Sequence, residues 1–193
     1  MTSTMSSFVK QSWAALRVML VLTVVLGLVY PALVWGVGQV VARHQSAGSL
    51  VRVDGRVVGS SLIGQQWSGD QWFHGRPSAS DYSGDTSGGS NLSGSALADE
   101  VAKRASAAGL DPTTAPADAL TASGSGLDPH ISPAYAVSQV GRLAAARGLD
   151  PARVLALVRQ HTTGRQLGFL GQPRVDVLAL NLALARLSGG DPR

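Results

Sequence analysis

Hydrophobic and polar positions divide the chain into three regimes. The first is an unbroken apolar run, Val18–Val41, reading VMLVLTVVLGLVYPALVWGVGQVV, 24 residues without a charged side chain. As a helix it extends about 36 Å at about 1.5 Å per residue, and a hydrocarbon core is about 30 Å thick. A buried helix of a soluble protein is the plainer reading, but such helices are seldom apolar on every side over this length. A cleaved signal peptide has a shorter apolar core, about 7–15 residues, followed by a small-x-small site. ARHQSAG after the run is a poor site of that kind. The run predicts an uncleaved transmembrane helix.

The second regime alternates over short distances. SLVRV, Asp54-Gly55 and RVVGS predict a hairpin, because Asp-Gly suits the tight turn between two twisted strands. SSLIGQ and QWFHG also read as strands. Residues 75–95, GRPSASDYSGDTSGGSNLSGS, form a long Gly/Ser/Asp loop inside the domain, a length that usually marks function or mobility.

The third regime has helical spacing. Ala96–Ala108 predicts an amphipathic helix capped by Ser95 and stopped at Gly109. Asp111-Pro112 opens a turn and Ala119–Ala122 reads as a short strand. Ser132-Pro133 is a cap followed by proline at the first helical position; the helix Ala134–Arg147 follows, ending at Gly148. Asp150-Pro151 repeats the signal for Ala152–His161. LGFL reads as a short strand, and Val175–Leu187 as a last helix with one buried face. The fold class is thus α/β: a single N-terminal transmembrane helix, then a small mixed α/β exterior domain. The segments are 1–17, 18–41 and 42–193.

Charge adds orientation. Lys10 and Arg17 precede the span with no acid in the first 17 residues. Basic flanks stay inside, so the N-terminus is expected in the cytoplasm and residues 42–193 outside, in a single-pass protein of the cell membrane. Arg43 and Arg52 near the exit weaken the asymmetry. The whole chain of 193 residues carries a net charge of +4. Its arginines are scattered without interleaved aromatics, which argues against nucleic acid. There is no cysteine, which removes disulfides, thiolate catalysis and cysteine-type zinc sites. Within the span, Pro31 frees a backbone carbonyl that lipid cannot satisfy. Ala32 and Gly36, four apart, let another helix approach. These three residues are expected to pack against other membrane helices.

Candidate chemistry concentrates in residues 121–132, TASGSGLDPHIS. Ser123, Ser125, Asp128 and His130 invite a nucleophilic reading, that of a membrane-anchored hydrolase. A triad needs the base within reach of the nucleophile and a third group orienting it, which sequence neighbours rarely achieve. A phosphate loop fails for want of lysine after the glycines, and the dinucleotide pattern lacks its third glycine. Ser87-Gly-Gly-Ser90 only echoes the signature loop of transporter ATPases. His44, His74, His130 and His161 form no ligand pair at metal spacing, and His161 suits the dipole of a helix end. Trp67, Trp72 and Phe73 read as core or interface aromatics. The plainer reading makes Thr121, Ser123, Gly124, Ser125, Gly126, Asp128, His130 and Ser132 a rigid corner and interface. In it Gly124 and Gly126 supply turn conformations, Asp128 ties down backbone amides, and Ser132 caps a helix. No catalytic, cofactor or metal residue is assigned.

TASGSGLDPHISPAYAVSQVGRLAAARGL at 121–149 closely resembles the C subunit of the potassium-transporting P-type ATPase, the Kdp complex. So do HTTGRQLGFLGQPRVDVLALNLAL at 161–184, YPALVWGVGQ at 30–39, GSSLIGQ at 59–65, FHGRPSAS at 73–80 and SGGSNLSGS at 87–95. The departures are Tyr135, where the family often has Ala, Thr163 and Gln172, where it has Glu, Asp176, where it has Asn, and SGSALAD after Leu92, which lacks the usual Asn-Pro. The resemblance implies a complex that imports potassium at the expense of ATP. Its A subunit selects the ion, B hydrolyses ATP and a small F subunit stabilises the assembly. It implies a non-catalytic assembly subunit that binds no cofactor itself, ATP and potassium being handled by the complex. The alternative is a catalytic chaperone raising the ATP affinity of B, through long-range coupling from an exterior domain or with the topology reversed.

Overall fold

The computed structural model describes residues 2–189. The chain forms two compact units, divided between Ser49 and Leu50. The first unit is a helix, α1 (Thr2–Val24), continued through a π-helical turn (Val25–Val29) into α2 (Tyr30–Val41), then one short turn, α3 (Arg43–Ser46). Ser7–Val41 is long and apolar enough to cross a membrane. The π-turn has a local cause. Pro31 carries no N–H and its ring collides with the carbonyl four residues back. Immediately before it the helix widens, and the Tyr30 N–H donates to the Val25 carbonyl, five residues away.

The second unit begins with the hairpin β1 (Leu50–Val53) and β2 (Arg56–Ser60), antiparallel with a bulge between Val51 and Arg52. Asp54 and Gly55 both take positive φ, 49° and 79°, the conformation that Asp-Gly permits. Then come α4 (Gly94–Ala108), α5 (Ala117–Leu120), β3 (His130–Ile131), α6 (Pro133–Ser138), α7 (Val140–Arg147), α8 (Pro151–Gln160), β4 (Thr162–Thr163), β5 (Arg174–Asp176) and α9 (Val177–Leu187). β3, β5 and β4 form a second antiparallel sheet with β5 in the middle. Phe73, Leu143, Val154, Val158, Val175, Leu180 and Leu184 fill the core between this sheet and α6–α9. A long apolar N-terminal helix followed by a small mixed α/β domain is the expected class.

Several expected elements differ. SSLIGQ and QWFHG are not strands. The backbone at 73–74 pairs with side-chain amides instead of a ladder. Asn181, wholly buried, donates from Nδ2 to the Phe73 carbonyl and accepts the Phe73 N–H on Oδ1, each at 2.9 Å. Gln139 does the same for His74, at 3.1 and 2.8 Å. Residues 119–122 carry the end of the single turn α5 rather than a strand, and LGFL forms a tight turn closed by a Gln166–Leu170 bridge. The expected helix 134–147 is broken at Gln139 into α6 and α7. The last helix starts at Val177 because Asp176 caps it, accepting from the Ala179 N–H at 2.8 Å; Val175 belongs to β5. α4 starts at Gly94, after Ser93 rather than Ser95. Asp150 caps α8 as expected, accepting from Ala152 N–H.

Candidate interaction site

The stretch 121–132 leaves α5 and enters β3, and most of its polar groups fasten neighbouring loops. Gly126 takes φ 71°, and a Cβ there would lie 2.3 Å from Ser80 Oγ and 2.9 Å from the Gly88 carbonyl. Only glycine fits both the conformation and the space. Gly124, expected to supply a turn conformation as well, does not take positive φ. A Cβ on Gly124 would meet nothing, and the close approach falls on its neighbour: a Cβ on Gly89 would lie 3.0 Å from the Gly124 carbonyl.

Loop 75–95 is stitched to this corner. Ser123 N–H donates to the Pro77 carbonyl at 3.0 Å, and Gly88 N–H to the Ser125 carbonyl at 2.9 Å. Ser78 Oγ donates to the Gly126 carbonyl at 2.7 Å while accepting from the N–H groups of Ser80 and Tyr82. The Tyr82 hydroxyl donates to the Arg76 carbonyl. Burial pushes that phenol up to about 12, with Tyr135 and Asp128 adding and Arg76 opposing. On the other side, Gly64 N–H bonds the Leu127 carbonyl and Val177 N–H the Pro129 carbonyl.

Asp128 is the electrostatic centre. It accepts from the His130 N–H at 3.0 Å and from Arg76 Nη1 at 3.3 Å, with His130 Nδ1 at 3.6 Å. Burial alone would raise its carboxyl. The bonds to His130 and the Arg76 charge outweigh burial and hold it below the usual carboxylate range. Ser132 accepts the Tyr135 N–H at 3.0 Å as the cap of α6. Asp118, in turn, takes both the Ser132 N–H and its hydroxyl, a second link that sequence spacing did not reveal. Thr121 Oγ donates back to the Ala117 carbonyl.

The nucleophilic reading has no geometry behind it. Ser123 Oγ and Ser125 Oγ lie 3.4 Å from each other, and Ser125 Oγ accepts from Leu127 N–H. His130 faces Asp128 rather than either hydroxyl. His74 bonds the Gly69 carbonyl and His161 the Leu157 carbonyl at the end of α8. Among the described residues no three His, Asp or Glu side chains gather at metal-binding distance. An open cleft of about 530 Å³ lies beside the corner, lined by Arg76, Asp118, Thr121, Asp128, His130 and Arg174 among others. Gly124 and Ser125 are exposed at the corner's tip. In the helix, Ala32 is exposed and a Cβ on Gly36 would meet nothing.

The profile of the K+-transporting ATPase c chain family matches residues 12–186. The potassium-transporting ATPase KdpC subunit of Kineococcus radiotolerans is 50% identical over 192 residues, covering 95% of this chain and 97% of that one. The KdpC subunit of Gemmatimonas aurantiaca is 51% identical over 189 residues, covering 92% and 95%. That of Sorangium cellulosum is 53% identical over 179, covering 88% and 94%. With the match running from within the apolar helix to the end of α9, the chain belongs to the KdpC family, subunits of the potassium-transporting ATPase.

Proposed function

We propose that this chain is the non-catalytic assembly subunit of an ATP-driven potassium import complex, holding together an ion-selecting A subunit and an ATP-hydrolysing B subunit beside a small F subunit. In this reading residues 1–17 are cytoplasmic, 18–41 span the cell membrane with Pro31, Ala32 and Gly36 towards partner helices, and 42–193 lie outside. The corner 121–132 is the rigid base of a partner-facing surface. The observation that carries the reading is the use of the Ser78, Ser125, Asp128 and Ser132 side chains in bonds to the domain's own backbone.

The test is Gly126→Val in the co-expressed complex. A branched side chain at φ 71°, driven against Ser80 and Gly88, has to displace loop 75–95. Its expected effect is a loss of A and B subunits co-purifying with this chain. Ser123→Ala and His130→Ala should leave ATPase activity of the assembled complex within about twofold of the parent, the range of a surface change. Loss of activity in a fully assembled Ser123→Ala or His130→Ala complex would sink the assembly reading.

A further inference from the structure

Among the described residues of the second unit, the two most exposed large apolar side chains are Leu167 and Phe169, at 82% and 68%, with Leu170 at 47% beside them. All three sit on one tight turn between β4 and β5. The turn is rigid. Gln166 and Leu170 exchange both backbone hydrogen bonds at 2.9 Å, and Gly168 N–H and Phe169 N–H bond back to the carbonyls of Arg165 and Gln166. Leu167 takes φ 52°, a conformation that leucine disfavours. The backbone therefore holds an apolar side chain out into solvent at a position where Gly or Asn would be easier.

The stem behind this tip is basic. Arg165 is braced by a hydrogen bond to Gln172 at 3.1 Å, and Arg174 pairs with Thr163 across the sheet. Between β4 and Val175 the chain carries two arginines, Arg165 and Arg174, and no acid. An apolar tip with cations one step behind it matches the boundary of a bilayer, where acyl chains lie beneath anionic headgroups. Three side chains on a convex turn are by themselves far smaller than a protein interface of about 20–30 residues a side.

We infer that the 166–170 turn dips into the membrane interface, with Leu167, Phe169 and Leu170 in the acyl boundary and the exposed Arg165 at the headgroup phosphates. A second contact gives a tethered domain a fixed attitude to the bilayer. The inference rests on the reading of Ser7–Val41 as a membrane span. β1 starts at Leu50, nine positions after that helix ends.

The chain is free of cysteine, which permits a direct test. Leu167→Cys, Ser87→Cys and Leu28→Cys are each labelled with a polarity-sensitive nitrobenzoxadiazole probe. The labelled chains are reconstituted in phosphatidylethanolamine–phosphatidylglycerol vesicles, alone and in the assembled complex. Lipids carrying a nitroxide quencher are then added, shallow for positions 167 and 87 and deep in the acyl chain for position 28. The expected result is quenching at 167 exceeding that at 87 by about twofold or more in both preparations. Adding Arg165→Gln should reduce the difference. Quenching at 28 with none at 167 overturns the inference and leaves the span intact. A blue-shifted but unquenched probe at 167 within the complex also overturns it, and assigns the turn to a pocket on a partner subunit. Absence of quenching at 28 removes the span and the inference together.

Discussion

Asn181 sits on α9 in the run VLALNLALARL, surrounded by leucine and alanine, and it is wholly buried. A lone amide in an apolar helix face is a cost unless both its dipoles are met. Here they are met by the backbone of Phe73, a residue that has no strand partner. Asn181→Leu keeps the volume roughly and removes both bonds, leaving a buried N–H and a buried carbonyl unpaired. The expected loss is about 2–5 kcal/mol of unfolding free energy, read as a lowered denaturation midpoint of the full chain in detergent. A change under about 0.5 kcal/mol, the scale of a surface substitution, would mean that residues 73–74 are not clamped in this way. The same logic separates what was legible at single positions. Gly124 and Gly126 were both expected to supply turn conformations, and only Gly126 takes one. Asn181 and Gln139 could be seen as polar residues among apolar ones, but their partner lies 108 or 65 positions away, and no local spacing points to it.

At the scale of elements, signals carried by a few adjacent residues were readable. Asp54-Gly55 gave the hairpin, and Ser132-Pro133 and Asp150-Pro151 gave two helix starts. Two-residue strands such as β3 and β4 have no alternation to read, and β5 hides in a pattern that continues into α9. They exist because Ile131 and Thr162 both pair with Val175 in the folded domain. Loop 75–95 shows the same limit: its composition suggested mobility or function, and the structure ties it down through Tyr82 and Ser78. That attachment makes a pH prediction. Tyr82 ionises near 10 when unfolded and at about 12 when folded. Because the folded value is raised, its contribution is full below about pH 10 and is lost as pH climbs through about 12. Stability to denaturant should fall across that window. Tyr82→Phe should flatten the fall while lowering neutral-pH stability by about 0.5–1.5 kcal/mol, for the hydrogen bond to Arg76. An unchanged alkaline slope in Tyr82→Phe would place the phenol in water.

For the whole molecule, the open variable is which side of the membrane the domain occupies, and two roles hang on it. An assembly subunit with an exterior domain can reach the ion-entry side of its partners but never cytoplasmic ATP. A chaperone that raises the ATP affinity of the B subunit by direct contact needs the domain inside. Charge favours the first, since Lys10 and Arg17 stand before the span without an acid, while Arg43 and Arg52 after it reduce the bias. Single cysteines at Ser3 and Ser87, treated in intact cells with a membrane-impermeant thiol reagent, separate the two. Ser87 lies on the exposed part of loop 75–95, so a thiol there is accessible whenever its side of the membrane is. The expected outcome is labelling at 87 and none at 3, with both labelled after lysis. That pattern keeps the corner 121–132 on the ion-entry face and confines any influence on ATP to coupling through the membrane subunits. Labelling at 3 alone would reverse the orientation, and the corner's cleft, with Arg76, His130 and Arg174 on its walls, would then face the compartment that holds the nucleotide.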